Sequence, residues 1–127
     1  MPSVLAIAAH PDDIEFLFTG TLLQLAKRGW DLHYMNLCDG SRGSTVLSQE
    51  ECAATRLEEA KASCRHIGAK FYPPIYADME SIYTTENLKK VTAVVRQAKP
   101  SIVLTHSPQD YMEDHEIACK LAVSAAF

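Results

Sequence analysis

The chain has no excess of positive charge. Twelve lysines and arginines face 16 acidic residues, a formal net charge of −4. A nucleic-acid or anionic-membrane partner calls for a basic face, so neither is expected. No apolar run approaches the roughly 20 residues of a membrane span. The N-terminus has no basic segment ahead of its first apolar run, so no signal peptide is expected, and a cytoplasmic location is. The four cysteines, Cys38, Cys52, Cys64 and Cys119, form no C-x-x-C pair. That excludes a zinc ribbon and a thioredoxin-type motif, and free thiols in a reducing compartment follow. No G-x-G-x-x-G follows the first strand and no G-x-S-x-G occurs, so neither a dinucleotide site nor a serine-hydrolase elbow is supported.

What is there begins at the N-terminus. Val4–Ala9 is an unbroken apolar run, the pattern of a parallel strand buried on both faces. His10, Pro11, Asp12 and Asp13 follow directly. Proline ends the ladder because it has no N–H to donate. An imidazole and two carboxylates therefore sit at the carboxyl end of a central strand, where open α/β sheets bind ligands. Polar groups packed this tightly against a core need compensation, and a metal ion is the commonest source.

The rest alternates strand and helix. Strand one is Ser3–Ala9, and helix one runs from about Glu15 to Arg28, closed by Gly29. Strand two is Asp31–Cys38, followed by a glycine-bearing loop, Asp39–Thr45. Ser48 and Glu51 form a capping box for helix two, which ends near Ile67. Strand three is Lys70–Tyr72, closed by Pro73 and Pro74. Helix three is about Glu86–Ala98, stopped by Pro100. Strand four is Ser101–Thr105, His106–Met112 is a loop, and helix four runs from Glu113 onward. This order predicts an α/β, Rossmann-like three-layer sandwich with a mostly parallel sheet, strand order 3-2-1-4. The last helix carries no stop signal, so residues 1–127 are expected to be one domain lacking its C-terminal part. An exposed apolar helix four would favour homo-oligomerisation.

In that strand order the loops after strands one and four meet at the topological switch point. His10 and Asp13 can then reach one ion, with His115 as third ligand, since His115 is in line with Ala118, Leu121, Ala122 and Ala125 on the buried stripe of helix four. Zn2+ accepts such donors and leaves a position open in catalytic sites; Fe2+, Co2+ or Mn2+ suit them nearly as well. Asp12 is the spare carboxylate, a base for the reacting water or the cap of helix one, or both through different oxygens. Glu15 suits the positive end of that helix or a position behind a ligating histidine. Asp110 and Asp114 are candidates to hold the ring of a ligating histidine, and Asp114 is preferred because it adjoins His115. Arg42 either grips an anionic substrate group or is a solvated loop residue. Arg56 by itself reads as a surface pair with Glu59.

AHPDDIEF (Ala9–Phe16) and DYMEDHE (Asp110–Glu116) resemble the LmbE-like (PIG-L) family of zinc-dependent N-acetylsugar deacetylases. The resemblance extends over DGSRG (Asp39–Gly43) and TRLEEAKAS (Thr55–Ser63), effectively the whole chain. It implies a Rossmann-like fold with one Zn2+, ligated by His10, Asp13 and His115, and Asp12 as general base. It implies a small N-acetylated sugar or glycoconjugate as substrate, of the N-acetylglucosamine type, with Arg56 on the substrate side and Asp78 near the sugar. One departure stands out. Met112 occupies the place of a family histidine credited with stabilising the oxyanion or protonating the amine, and a thioether does neither. His106 is a candidate to reach in instead, or a strand-end histidine bonded to backbone. The departure also keeps open a non-catalytic zinc- and sugar-binding module of the same fold. A receiver-type signalling domain is disfavoured, because strand three ends in Tyr72-Pro73 rather than in a phosphorylatable aspartate.

Overall fold

Val4 through Ala9 are completely buried, and this places the first strand at the centre of the molecule. In the computed structural model, which describes residues 1–127, β1 spans Ser3–Ala8, β2 Asp31–Asn36, β3 Lys70–Tyr72 and β4 Ile102–Leu104. They form one sheet in the order β3-β2-β1-β4, and every pairing is parallel. Val4 lies beside Leu32 on one side and Ile102 on the other. A strand flanked on both edges and covered on both faces has no solvent side, so its sequence shows no alternation.

Five helices cover the sheet: α1 Asp13–Leu17, α2 Thr19–Ala26, α3 Gln49–His66, α4 Thr85–Ala98 and α5 Glu113–Ala126. Leu5, Ile7 and Met35 pack on one face with Val91 of α4 and Leu121 of α5. Val4, Ala6 and Tyr34 pack on the other with Ile14, Leu22 and Cys64 of α1, α2 and α3. The two cores are the two sides of a three-layer sandwich. Burying one leucine such as Leu121 contributes about 1.5–3 kcal/mol. All four cysteines are buried and unpaired. No helix is long and apolar enough to cross a membrane.

The expected helix one is two helices. It starts at Asp13 rather than Glu15, and Phe18, at φ −120° and ψ −15°, separates α1 from α2. The Ile14 carbonyl accepts both the Phe18 N–H at 2.9 Å and the Thr19 hydroxyl at 3.1 Å at this junction. β3 has the expected bounds, while β1, β2 and β4 are shorter than expected by one or two residues; the contact between β1 and β2 nevertheless continues, with Leu37 N–H donating to the Ala8 carbonyl and Cys38 N–H to that of Ala9. The capping box is present, with Ser48 Oγ accepting from Glu51 N–H and Glu51 Oε2 from Ser48 N–H. α4 begins at Thr85, capped by the Thr84 hydroxyl.

Candidate metal centre and active-site cleft

The carboxyl ends of β1 and β4 are adjacent because β4 pairs directly with β1. The turn after β1 brings His10, Asp12 and Asp13; the loop after β4 and the first turn of α5 bring Asp110, Asp114 and His115. Asp13 Oδ2 lies 3.2 Å from His10 Nδ1 and 3.2 Å from His115 Nε2. It also accepts the His10 backbone N–H at 2.8 Å, which closes the Pro11 turn. Donor atoms of His10, Asp13 and His115 all lie within 4.8 Å of one another.

The far nitrogen of each ring is held by a carboxylate. His10 Nε2 meets Asp114 Oδ2 at 2.7 Å, and His115 Nδ1 meets Asp110 Oδ1 at 3.0 Å. Carboxylates placed behind ligating imidazoles set the tautomer and the ring direction. Asp114 thus holds the ring of a candidate ligating histidine, as expected, but that ring is His10 and not the adjoining His115. A helix points successive side chains about 100° apart, so the neighbour of His115 faces His10, and Asp110, on the loop before the helix, backs His115. Asp114, only 4% exposed, also accepts from Met79 N–H at 3.0 Å and Ser81 O–H at 2.5 Å. Glu15 backs no histidine: it lies in the first turn of α1 and accepts from the Tyr34 hydroxyl at 2.9 Å.

Two other donor groupings lie beside it. One joins His10, Cys38 and Asp114, where burial and the carboxylate of Asp114 push the Cys38 thiol above its ordinary value in the metal-free protein. The other joins His106, Asp110 and His115. There His106 Nε2 accepts the Ala9 N–H at 3.0 Å, which commits that nitrogen. The His106 ring stacks on His115 at 4.0 Å between centroids. Burial and the neighbouring His115 lower its pKa to about 4, so it is neutral. His106 thus braces His115 from behind and does not enter the cleft in place of the absent histidine.

Electrostatics divide the three acidic and basic groups of the turn. Burial works against protonation of His10, but Asp13 and Asp114 outweigh it and raise its pKa to about 9. Burial would raise Asp13, but the hydrogen bonds from His10 hold it below the ordinary carboxylate value. Asp12 moves the other way: burial and the charge of Asp13 raise it, partly offset by Arg56. The two adjacent carboxylates are thus shifted in opposite directions. Asp12 adopts φ +104°, a left-handed conformation, and its side chain makes no helix-capping hydrogen bond. The capping alternative is excluded, and the conformation costs about 1–3 kcal/mol.

These groups line an open cleft of about 410 Å³, together with Arg42, Arg56, Asp78, Met79, Tyr111 and Met112. Asp78 is buried, and its two oxygens accept from Gly40 N–H at 2.8 Å and Arg42 N–H at 3.0 Å, so it shapes the loop after β2. The Arg42 guanidinium bonds the Asp78 carbonyl and, at 3.3 Å, Glu80. Arg56, on α3, pairs with Glu59 at 3.1 Å as its spacing predicts, but also bonds the Pro11 carbonyl and lies 3.3 Å from Asp12 Oδ2. Sequence reasoning missed Met79, Ser81 and the Arg56–Asp12 pair. No spacing pattern marks contacts between segments so far apart in the chain.

An α/β domain with a His-Asp-His donor set at its switch point, backed by two carboxylates and edged by a third, defines the class. Residues 5–127 match the PIG-L family, described as GlcNAc-PI de-N-acetylase, and the chain belongs to that family. It is 39% identical over 115 residues to a diacetylchitobiose deacetylase from Thermococcus kodakarensis, a match covering 88% of this chain and 43% of that protein. The solved N,N'-diacetylchitobiose deacetylase from Pyrococcus horikoshii superposes with a TM-score of 0.89 at 34% identity, over 97% of this chain and 48% of that one. The 4-carboxy-2-hydroxymuconate hydratase from Pseudomonas putida superposes with a TM-score of 0.91 at 28% identity, over 98% and 55%. The chain spans about half the length of these relatives.

Proposed function

We propose that this domain carries the catalytic centre of a metal-dependent N-deacetylase acting on an N-acetylated amino sugar. The observation that carries the reading is the His10–Asp13–His115 donor set, each ring held from behind by a carboxylate, with the displaced carboxylate of Asp12 beside it in the cleft. The deacetylase relatives supply the substrate class.

A Zn2+ or similar divalent ion at His10, Asp13 and His115 supplies Lewis acidity toward the acetyl carbonyl and the reacting water. Asp114 and Asp110 keep the lone pairs of the two imidazoles aimed at the shared position. Asp12 removes the proton from the attacking water as the new C–O bond forms. The same proton is then returned to the nitrogen as the C–N bond breaks, giving acetate and a free amine. Asp12 serves both steps because Met112 provides no proton and His106 is committed to backbone. Arg42 and Arg56 put positive charge on the cleft wall, and Asp78 holds the loop that carries Arg42.

The hydratase relative, together with Met112, favours one second reading: the same water activation directed at a carbon–carbon double bond. The test is metal-dependent amine release from a panel of N-acetyl sugars, after stripping and restoring zinc, beside the loss of absorbance of an unsaturated dicarboxylate. Amine release identifies the deacetylase, and hydration without amine release replaces it with the second reading. Asp12→Asn is expected to keep its metal and lose about 10²–10⁴-fold in rate. Near-normal turnover in that variant removes Asp12 from the mechanism.

A further inference from the structure

We infer that Ser81 is a positioning residue: its hydroxyl, together with the Met79 N–H, holds the Asp114 carboxylate at the angle that fixes the His10 ring. The consequence for a bound ion rests on the metal-centre reading above; the contacts themselves are independent of it.

The two oxygens of Asp114 are divided between two tasks. Oδ2 meets His10 Nε2 at 2.7 Å and accepts the Met79 N–H at 3.0 Å. Oδ1 accepts the Ser81 hydroxyl at 2.5 Å. Hydrogen bonds to an ionised acceptor are the short, strong ones. One donor on each oxygen stops the carboxylate from turning about its Cβ–Cγ bond, so Oδ2 stays aimed at the ring. A neutral imidazole has one N–H and one free lone pair. With Nε2–H given to Asp114, the lone pair is on Nδ1, the nitrogen 3.2 Å from Asp13 Oδ2. Ser81 thereby acts on which His10 nitrogen faces the shared position.

The segment that carries Ser81 is built for this contact. Met79 adopts φ +63°, a left-handed conformation that a side chain disfavours. Its own side chain is 76% exposed, so packing does not account for the conformation; what it achieves is an N–H directed at Asp114. The segment is anchored on both sides. Upstream, the Asp78 carboxylate accepts from Gly40 N–H and Arg42 N–H, at 2.8 Å and 3.0 Å. Downstream, the Ile82 carbonyl accepts from Asn87 Nδ2 of α4 at 3.0 Å. The strained residue and the serine are thus held between the loop after β2 and α4, across the end of α5 that carries Asp114.

The test compares the wild type, Ser81→Ala and Ser81→Thr for Zn2+ affinity against a chelator and for the visible spectrum of the Co2+-loaded protein. Removing the carboxylate behind a ligating histidine costs about 10–100-fold in affinity, so removing one donor to that carboxylate is expected to cost less, about 3–10-fold. The Co2+ bands should shift in Ser81→Ala, a change that a loss of stability alone does not produce. Ser81→Thr keeps the hydroxyl and should restore both readouts. Wild-type affinity and spectrum in Ser81→Ala overturn the inference, as does an equal loss in Ser81→Thr. A wild type that binds no divalent ion overturns the functional reading instead. The positioning role is then decided in crystals of metal-free Ser81→Ala. A separation of His10 Nε2 from Asp114 Oδ2 beyond about 3.5 Å upholds it, and the contact unmoved at 2.7 Å overturns it.

Discussion

Asp114→Asn tests the centre at its most connected point. The carboxylate takes three donors, from His10 at 2.7 Å, Met79 N–H at 3.0 Å and the Ser81 hydroxyl at 2.5 Å, in a setting only 4% exposed. An amide of the same shape keeps one acceptor oxygen and turns an NH2 group toward donors. Losing the carboxylate behind a ligating histidine lowers metal affinity by about 10–100-fold, about 1.4–2.7 kcal/mol. Losing hydrogen bonds to a buried charge costs about 1.5–3 kcal/mol of folding stability. Asp110→Asn is the matched control, because Asp110 backs His115 at 3.0 Å and its other partner is Met112 N–H at 3.0 Å. Both variants should weaken metal binding in a competition titration against a chelator. Only Asp114→Asn should speed hydrogen exchange at the Met79 amide. Wild-type affinity in Asp114→Asn would refute the assignment of His10 as a ligand held from behind. Equal protection of Met79 in both variants would refute the link to the 79–81 segment.

The metal-free protein should lose stability as pH rises. His10 has its folded pKa raised from 6.5 to about 9, so its contribution is complete below pH 6.5 and disappears as pH climbs to about 9. Asp13 and Asp114 are depressed below 3.8, so their contributions hold above that value and vanish as pH falls through their folded pKa values. Melting of chelator-treated protein across pH checks both limbs, and a flat Tm between pH 6.5 and 9 contradicts the first. Gly40→Ala combines a left-handed backbone with a Cβ 2.9 Å from Arg56. It should cost about 1–3 kcal/mol in a denaturant titration and lower amine release by displacing Arg56; an unchanged midpoint would show that the loop yields freely.

The fold was largely legible because each signal was local or periodic. The unbroken apolar run Val4–Ala9 marks a central parallel strand, and the Ser48–Glu51 capping box marks the start of α3 within a residue. The order 3-2-1-4 follows from alternation and right-handed crossovers. The helix after β1 differs from expectation because hydrophobic periodicity continues through Phe18; the break is a change of backbone dihedrals at that one residue, which no hydrophobic pattern records.

By itself, the sequence determined which chemistry is possible here: imidazole and carboxylate donors at the end of a strand that has to be central. His10, Asp12 and Asp13 are adjacent in the chain, so their meeting needed no folding argument. Tertiary structure alone decided how those groups are oriented and charged. It placed Asp114 behind His10 and Asp110 behind His115, withdrew His106 into a backbone hydrogen bond, and set Arg56 against Asp12. Each pairing joins segments distant in sequence or depends on which way one helical side chain points. Such contacts are decided by the packing of three layers at one sheet edge, and a difference of one residue in a helix turns a side chain by about 100°.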